Sequence, residues 1–390
     1  MLKTCRICEN SELEQLLEWD KYPLTSVAVA RKNTPAAPVG KLVLGMCLKC
    51  GLIQLMEPDP ESIQYSEDYT SSNYQVRRGE VDVKLQKFMK MLSLTKPRYS
   101  DKVLEIGCYD GSLMAAMSSH FGYDVYGCDP SGPAQELAKS NPKVIVKLFD
   151  LIYYDTKFAM VVCRNVLEHV PNPLQFLMMV AEVLAPSGEI ALEVPDGETR
   201  VCTGILGSIV PQHTSYFGED TLTDVLQGSG FGDVHVERDN GRLLARSVLG
   251  GKKKVVNCYA DSVYKCAIAG TRWNNLKSSG IRRKLTTKTT GDIFLYGANT
   301  CSQELLVTGA IPMNRGIAAI DDDKLKWGRV IVNTDIEVYP RESLEGVTDG
   351  TVVICSYYSH KDIYKYLIET LPKGMNVLRL YPNIVLRKIV

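Results

Sequence analysis

The 390-residue chain has no excess of charge: 45 Lys and Arg balance 45 Asp and Glu. This balance excludes a global basic field for holding nucleic acid or an anionic membrane, so neither is an expected partner. There is no run of about 18 apolar residues to span a bilayer, and Met1 to Cys5 lacks the apolar stretch of a secretory signal. The expected location is cytoplasmic. Internal repeats and low-complexity tracts are absent, and 45% hydrophobic against 23% charged residues excludes global disorder.

Twelve cysteines without an export signal are expected to stay reduced. Two C-x-x-C pairs, Cys5/Cys8 and Cys47/Cys50, fall within the first fifty residues. Each such knuckle turns two sulfurs toward one point, so the two together can close a tetrahedral Cys₄ shell with no open position. The reading is a structural zinc ion. The 38 residues between Cys8 and Cys47 exceed a compact ribbon, but closing the longer loop adds little entropic cost. The other eight cysteines read as packing residues.

Downstream, short apolar runs such as Val103 to Ile106, Asp124 to Gly127 and Ala159 to Val162 alternate with helical segments. This is βαβ rhythm and predicts a mainly parallel sheet with helices on both faces. After a partly helical connector at 250–291, a second series opens at Ile293 and continues through Gly316 to Ile320 and Thr351 to Cys355. The expected architecture is α/β: a zinc module at 1–62, a Rossmann-like domain at 63–250 and a second Rossmann-like domain at 251–390.

The first of these domains carries Glu105-Ile106-Gly107-Cys108-Tyr109-Asp110-Gly111 between a strand and the helix opened by Ser112. Gly107 and Gly111 let the backbone approach a ligand, and Asp129 ends the next strand, where a carboxylate can accept both hydroxyls of a ribose. The pattern is not the dinucleotide G-x-G-x-x-G. It suits S-adenosylmethionine, which has no pyrophosphate to cradle. After a third apolar strand comes Cys163-Arg164-Asn165-Val166-Leu167-Glu168-His169-Val170-Pro171, near the edge where open α/β sheets bind ligands.

The double C-x-x-C, the Glu-x-Gly-x-x-Asp-Gly turn, the Arg-Asn-x-Leu-Glu-His-x-Pro segment and His213-x-x-Tyr216-Phe217 occur in one order. In this the chain resembles the sugar C-methyltransferases, which join an N-terminal zinc-binding domain, a class I methyltransferase domain and a C-terminal Rossmann-like domain. The resemblance implies S-adenosylmethionine-dependent methylation of a carbon beside the ketone of a nucleotide-linked keto-deoxysugar. It makes His213 the base that forms the enolate, a task imidazole suits near neutral pH. It also assigns Tyr69, His169 and Gln212 to the catalytic pocket, and Glu105, Gly107, Asp110, Gly111, Asp129, Arg164, Asn165 and Glu168 to the cofactor side.

The chain departs from that family at four places. Gln212 stands where the family has the acid beside its base, Val210 where it has a Tyr, Cys301 where it has a Lys, and Asp335 where it has a His. Gln212 is expected to orient His213 through a hydrogen bond. Glu168 reads either as a pocket residue or as a carboxylate favoured at a helix start. Methylation of oxygen or nitrogen on another small molecule, and a binding protein without turnover, are the alternatives. Oligomeric state and sugar identity are not legible.

Overall fold

The computed structural model describes residues 2–62, 83–95, 101–253 and 260–389. Tyr69 lies outside the described residues. The N-terminal part contributes β1 (Leu13–Pro23), β2 (Val29–Ala30), β3 (Val39–Cys47) and β4 (Ile53–Glu57). The central part contributes β5 (Lys102–Ile106), β6 (Asp124–Cys128), β7 (Val144–Ile145), β8 (Phe158–Arg164), β9 (Leu184–Pro195), β10 (Ser215–Tyr216), β11 (Phe231–Asp239) and β12 (Arg242–Leu249). The C-terminal part holds β13 (Asp292–Tyr296), β14 (Ile317–Ile320), β15 (Val330–Ile331), β16 (Val338–Tyr339), β17 (Gly350–Ile354), β18 (Asn376–Arg379) and β19 (Val385–Lys388).

The central sheet runs β11-β12-β9-β8-β5-β6-β7, with β7 to β9 parallel and the β12/β11 hairpin antiparallel at one edge. This is the class I methyltransferase order. The apolar runs are nearly continuous because both faces are covered. Leu104, Ile106, Val161 and Leu192 face one core layer, while Val103, Val125, Met160 and Val162 face the other. A second sheet, β16-β14-β13-β17-β18-β19, repeats the arrangement, with Ile293, Leu295 and Val353 on one side and Val352, Ile354 and Val377 on the other.

The described residues differ from the sequence expectations in two ways. The expected zinc module at 1–62 does not close on itself but contributes three strands to a four-stranded antiparallel sheet, β1-β3-β4-β10, whose last strand comes from Ser215 and Tyr216. Far-apart segments of chain thus share one sheet, which alternation within either segment cannot reveal. The connector contains a single 29-residue helix, Ala260–Lys288. Its buried small residues Ala267, Gly270 and Ser278 give no strong apolar stripe, and it packs through Ala260 and Ala267 on the N-terminal sheet. A two-strand ribbon, β2 with β15, ties the N-terminal part to the C-terminal one. No helix among the described residues is long and apolar enough to cross a membrane.

Candidate functional site

The four thiols converge. Cys5 Sγ lies 3.5 Å from Cys50 Sγ and Cys8 Sγ lies 3.5 Å from Cys47 Sγ, with all four sulfurs within 4.8 Å of one another. Tetrahedral zinc with Zn–S of about 2.3 Å requires sulfurs about 3.8 Å apart, so the donor set fits that ion. The two knuckles share one backbone design. Glu9 and Gly51, each following the second Cys of its pair, have φ of 57° and 81°, and each returns its N–H to the first Cys carbonyl at 3.0 Å. Hydrogen bonding to Cys47 raises the Cys5 thiol to about 12, while bonds from Cys5 and Cys50 lower Cys47. Crowded thiols of this kind are relieved by a dication, which takes up all four as thiolates.

The cofactor-side residues gather at the carboxyl edge of the central sheet. Glu105, on β5, is buried, and its Oε2 has no hydrogen-bond partner among the described residues. Burial pushes this carboxyl up to about 8; Arg164 opposes the shift, while Asp129 and Asp110 add to it. The turn that follows needs glycine, with φ of 82° at Gly107 and 74° at Gly111. A Cβ at Gly107 would also meet Val166 Cγ2 at 2.4 Å, so packing against the next loop constrains this position as well as any ligand. Tyr109 and Asn165 adopt positive φ without being glycine, the kind of backbone strain that concentrates at functional sites. Asp129 ends β6 only partly buried. Its Oδ2 accepts the Tyr109 N–H at 3.1 Å and its Oδ1 the Ser131 N–H at 2.7 Å, leaving lone pairs for further donors. Asp110 is exposed and takes the Ser112 N–H at 3.0 Å. A buried carboxylate with one oxygen open among the described residues, beside a turn and a second acid, is a fit for the amino and ribose ends of S-adenosylmethionine.

Arg164 is engaged within the protein. Its Nε donates to Glu193 Oε2 at 3.1 Å, with the guanidinium 5.1 Å from the Phe88 ring. Glu193 also pairs with Arg242 at 3.1 Å. Sequence reasoning missed both Glu193 and Arg242; the available signal was an acid inside the apolar run Ile190 to Pro195.

The loop after β8 forms the third part of the site. Glu168 is 2% exposed and lies in the first turn of the 3₁₀ helix Leu167–His169. Its Oε2 has no partner among the described residues, its Oε1 lies 3.8 Å from His169 Nε2, and burial pushes the carboxyl up to about 8. The His169 ring meets His213 edge-on, with centroids 4.8 Å apart. Burial lowers His169 to about 4 and, aided by repulsion from His169 and Arg200, holds His213 well below its ordinary value. Gln212 does not orient His213. Its Nε2 points to the Ser26 carbonyl at 3.4 Å and its Oε1 is buried unpartnered, while its own carbonyl accepts the His169 Nδ1–H at 3.0 Å. Val210 lies over Tyr216, whose hydroxyl accepts the Val210 N–H at 3.0 Å.

Farther away, Cys301 is buried in the first turn of the helix Thr300–Val307, its N–H donating to the capping Asn299 Oδ1 at 2.9 Å, and Asp335 is exposed. At the seam between the central and C-terminal parts, Arg200 donates to the Tyr358 hydroxyl at 2.6 Å, and the Lys277 ammonium lies 5.6 Å from both the Trp273 and Tyr381 ring centroids.

Residues 77–236 match the family model of a methyltransferase domain. A mitochondrial ubiquinone biosynthesis O-methyltransferase of Schizosaccharomyces pombe is 34% identical over 101 residues, 23% of this chain and 36% of the relative. A tRNA U34 carboxymethyltransferase of Nautilia profundicola is 27% identical over 137 residues, 31% of this chain and 45% of the relative. The chain thus spans less than half the length of these curated relatives. Among solved structures, the N-methyltransferase NodS of Bradyrhizobium japonicum in complex with S-adenosyl-L-homocysteine shares 18% identity at a TM-score of 0.34, covering 43% of this chain and 85% of that one. The CurJ carbon methyltransferase shares 18% identity at a TM-score of 0.33, covering 41% and 51%.

Proposed function

We propose that the chain is an S-adenosylmethionine-dependent methyltransferase that methylates a carbon beside the ketone of a nucleotide-linked keto-deoxysugar, with a structural zinc site at residues 1–62, the transfer site at 63–250 and an acceptor-binding domain at 251–390. The observation that carries this reading is the pairing of His213 with His169 beside a buried carboxylate, next to the edge of a methyltransferase sheet. The cofactor supplies an electrophilic methyl group. Within the protein, Glu105, Asp129 and the Gly107 to Gly111 turn hold it, and Arg164, Asn165 and Asp110 shape the turn and the facing loop. Neutral His213 removes the acceptor proton, with His169 beside it fixed by Gln212. Acceptor binding at the seam is supported by the cation Arg200 with its aromatic neighbour Tyr358, a combination suited to an anionic ligand bearing a planar base, while Lys277 is buried and holds the Gly204 carbonyl at 2.7 Å. A cytoplasmic setting belongs to the same reading, because it keeps the zinc thiolates reduced.

Methylation of oxygen is the second reading, favoured by the likeness to ubiquinone biosynthesis O-methyltransferases. His213 then takes a hydroxyl proton. Incubating the zinc-loaded protein with candidate keto-sugar nucleotides in deuterium oxide separates the two. Carbon methylation requires deuterium to enter the ring carbon without cofactor, and the labelled methyl group to appear on that carbon. A methyl group on oxygen, with no deuterium uptake, selects the second reading.

A further inference from the structure

We propose that Glu168 is the acid that serves His213, its carboxylate balancing the positive charge the imidazole acquires on taking the acceptor's proton. The inference rests on the assignment of His213 as the base. By sequence the acid is missing, since the neighbour of His213 is Gln212 and its amide is turned away toward Ser26. In space it is present. A carboxylate oxygen of Glu168, a ring nitrogen of His169 and a ring nitrogen of His213 all lie within 4.8 Å of one another.

The surroundings leave one oxygen of this carboxylate, Oε2, without a donor among the described residues. His169 spends its Nδ1–H on the Gln212 carbonyl, so the nitrogen facing Glu168 is the bare Nε2, and 3.8 Å is too long for a hydrogen bond. The other charged groups that act on the pocket are Glu193 from β9, which is held by Arg164 and Arg242, and Arg200 from the helix Gly197–Cys202; Cys163 on β8 is the remaining titratable neighbour. A buried acceptor without a donor is costly, and a neighbouring imidazolium removes that cost only while the proton is on the base. The balance closes. The C–H or O–H bond of the acceptor breaks, its proton goes to His213, and its electron pair forms the bond to the methyl group. The sulfonium becomes a neutral thioether, and one proton is later released to water.

The test uses the full-length zinc-loaded protein and Glu168→Gln. Nitrogen-15 NMR of the histidine rings, which needs no substrate, is expected to show in wild type a titration step near the value to which burial moves Glu168, about 8. The variant should lose that step. Methyl-transfer rates should rise with pH through the same step in wild type, and in Glu168→Gln should be flat and at least about tenfold slower. A step that persists in the variant, a rate within about threefold of wild type, or a second metal equivalent in wild type that Glu168→Gln alone removes would overturn the proposal. If the variant does not fold, histidine signals and rates that are flat from about pH 7 to 9 in wild type overturn it equally. Failure of the carbon-methylation reading shows differently, as absent deuterium uptake in wild type, and leaves the NMR step untouched.

Discussion

Arg6, which stands between the thiols of Cys5 and Cys8, donates from Nη1 to the carbonyl of Pro171 at 2.7 Å and from Nη2 to that of Leu55 at 3.1 Å. Pro171 closes the loop that carries Glu168 and His169, and Thr214, next to His213, donates its N–H to the Glu168 carbonyl at 2.8 Å. The thiol cluster is therefore tied through Arg6 to the loop that lies beside His213.

One zinc equivalent per chain is expected from elemental analysis of protein purified without chelator, and Cys47→Ser should release it. Arg6→Ala should keep the zinc yet lower kcat by about tenfold, within the range expected when a hydrogen bond from a charged group is lost. Wild-type turnover in Arg6→Ala would separate the metal module from the reaction.

Asp129→Ala should weaken S-adenosylmethionine binding by about 1.5 to 3 kcal/mol, read by calorimetry. Part of this loss comes through the turn itself, because Tyr109 and Ser131 lose the acceptor for their N–H groups. Equal affinity in the two proteins would place the ribose elsewhere.

Cofactor affinity should rise with pH up to about 8, the value to which burial moves Glu105, because the cationic ligand favours its ionised form. Calorimetry in buffers of different ionisation enthalpy should count close to one proton released per cofactor bound near pH 7. Glu105→Gln should bind more weakly and without this pH dependence.

His213→Ala should lower turnover by about 10² to 10⁴-fold and leave cofactor affinity unchanged. Burial keeps this imidazole below its ordinary value, so the wild-type rate profile should show no separate imidazole step at about pH 6.5 in addition to the Glu168 step near 8. Turnover within about threefold of wild type would remove His213 from the reaction.

Glu304 carries a prediction about stability. It is fully buried, its Oε2 accepts the Gly207 N–H at 2.7 Å, and burial raises it from 4.5 to about 7. The folded state holds a proton that the unfolded chain releases, so the favourable contribution is complete below about 4.5 and is lost as pH rises through about 7. Glu304→Gln keeps an acceptor for Gly207 and should raise stability by roughly 2 to 3 kcal/mol more at pH 8 than at pH 5, measured by urea unfolding.

The parts legible in the sequence are those set by local chemistry. Cys5, Cys8, Cys47 and Cys50 stand out because knuckles are short-range devices, and Val103 to Ile106 or Val352 to Ile354 because strands covered on both faces are apolar at successive positions. The illegible parts depend on segments distant in the chain. That Glu168 is buried, that Gln212 reaches Ser26, and that Glu193 sits between Arg164 and Arg242 follow from packing across 20 to 190 residues of chain, which no spacing pattern encodes. The long helix Ala260–Lys288 escaped full recognition because its buried face is built of small and polar residues.

The pairing of Ser215 and Tyr216 with Gln54 and Ile53 bears on how acceptor specificity could be re-engineered. A chimera cut near residue 62, joining this N-terminal part to the central part of another methyltransferase, would supply the sheet with a foreign fourth strand two residues after the position of His213. Register errors there would shift the imidazole before any pocket residue had been altered. Recombination partners should therefore exchange 1–62 and the stretch around 210–217 together, as one inherited unit.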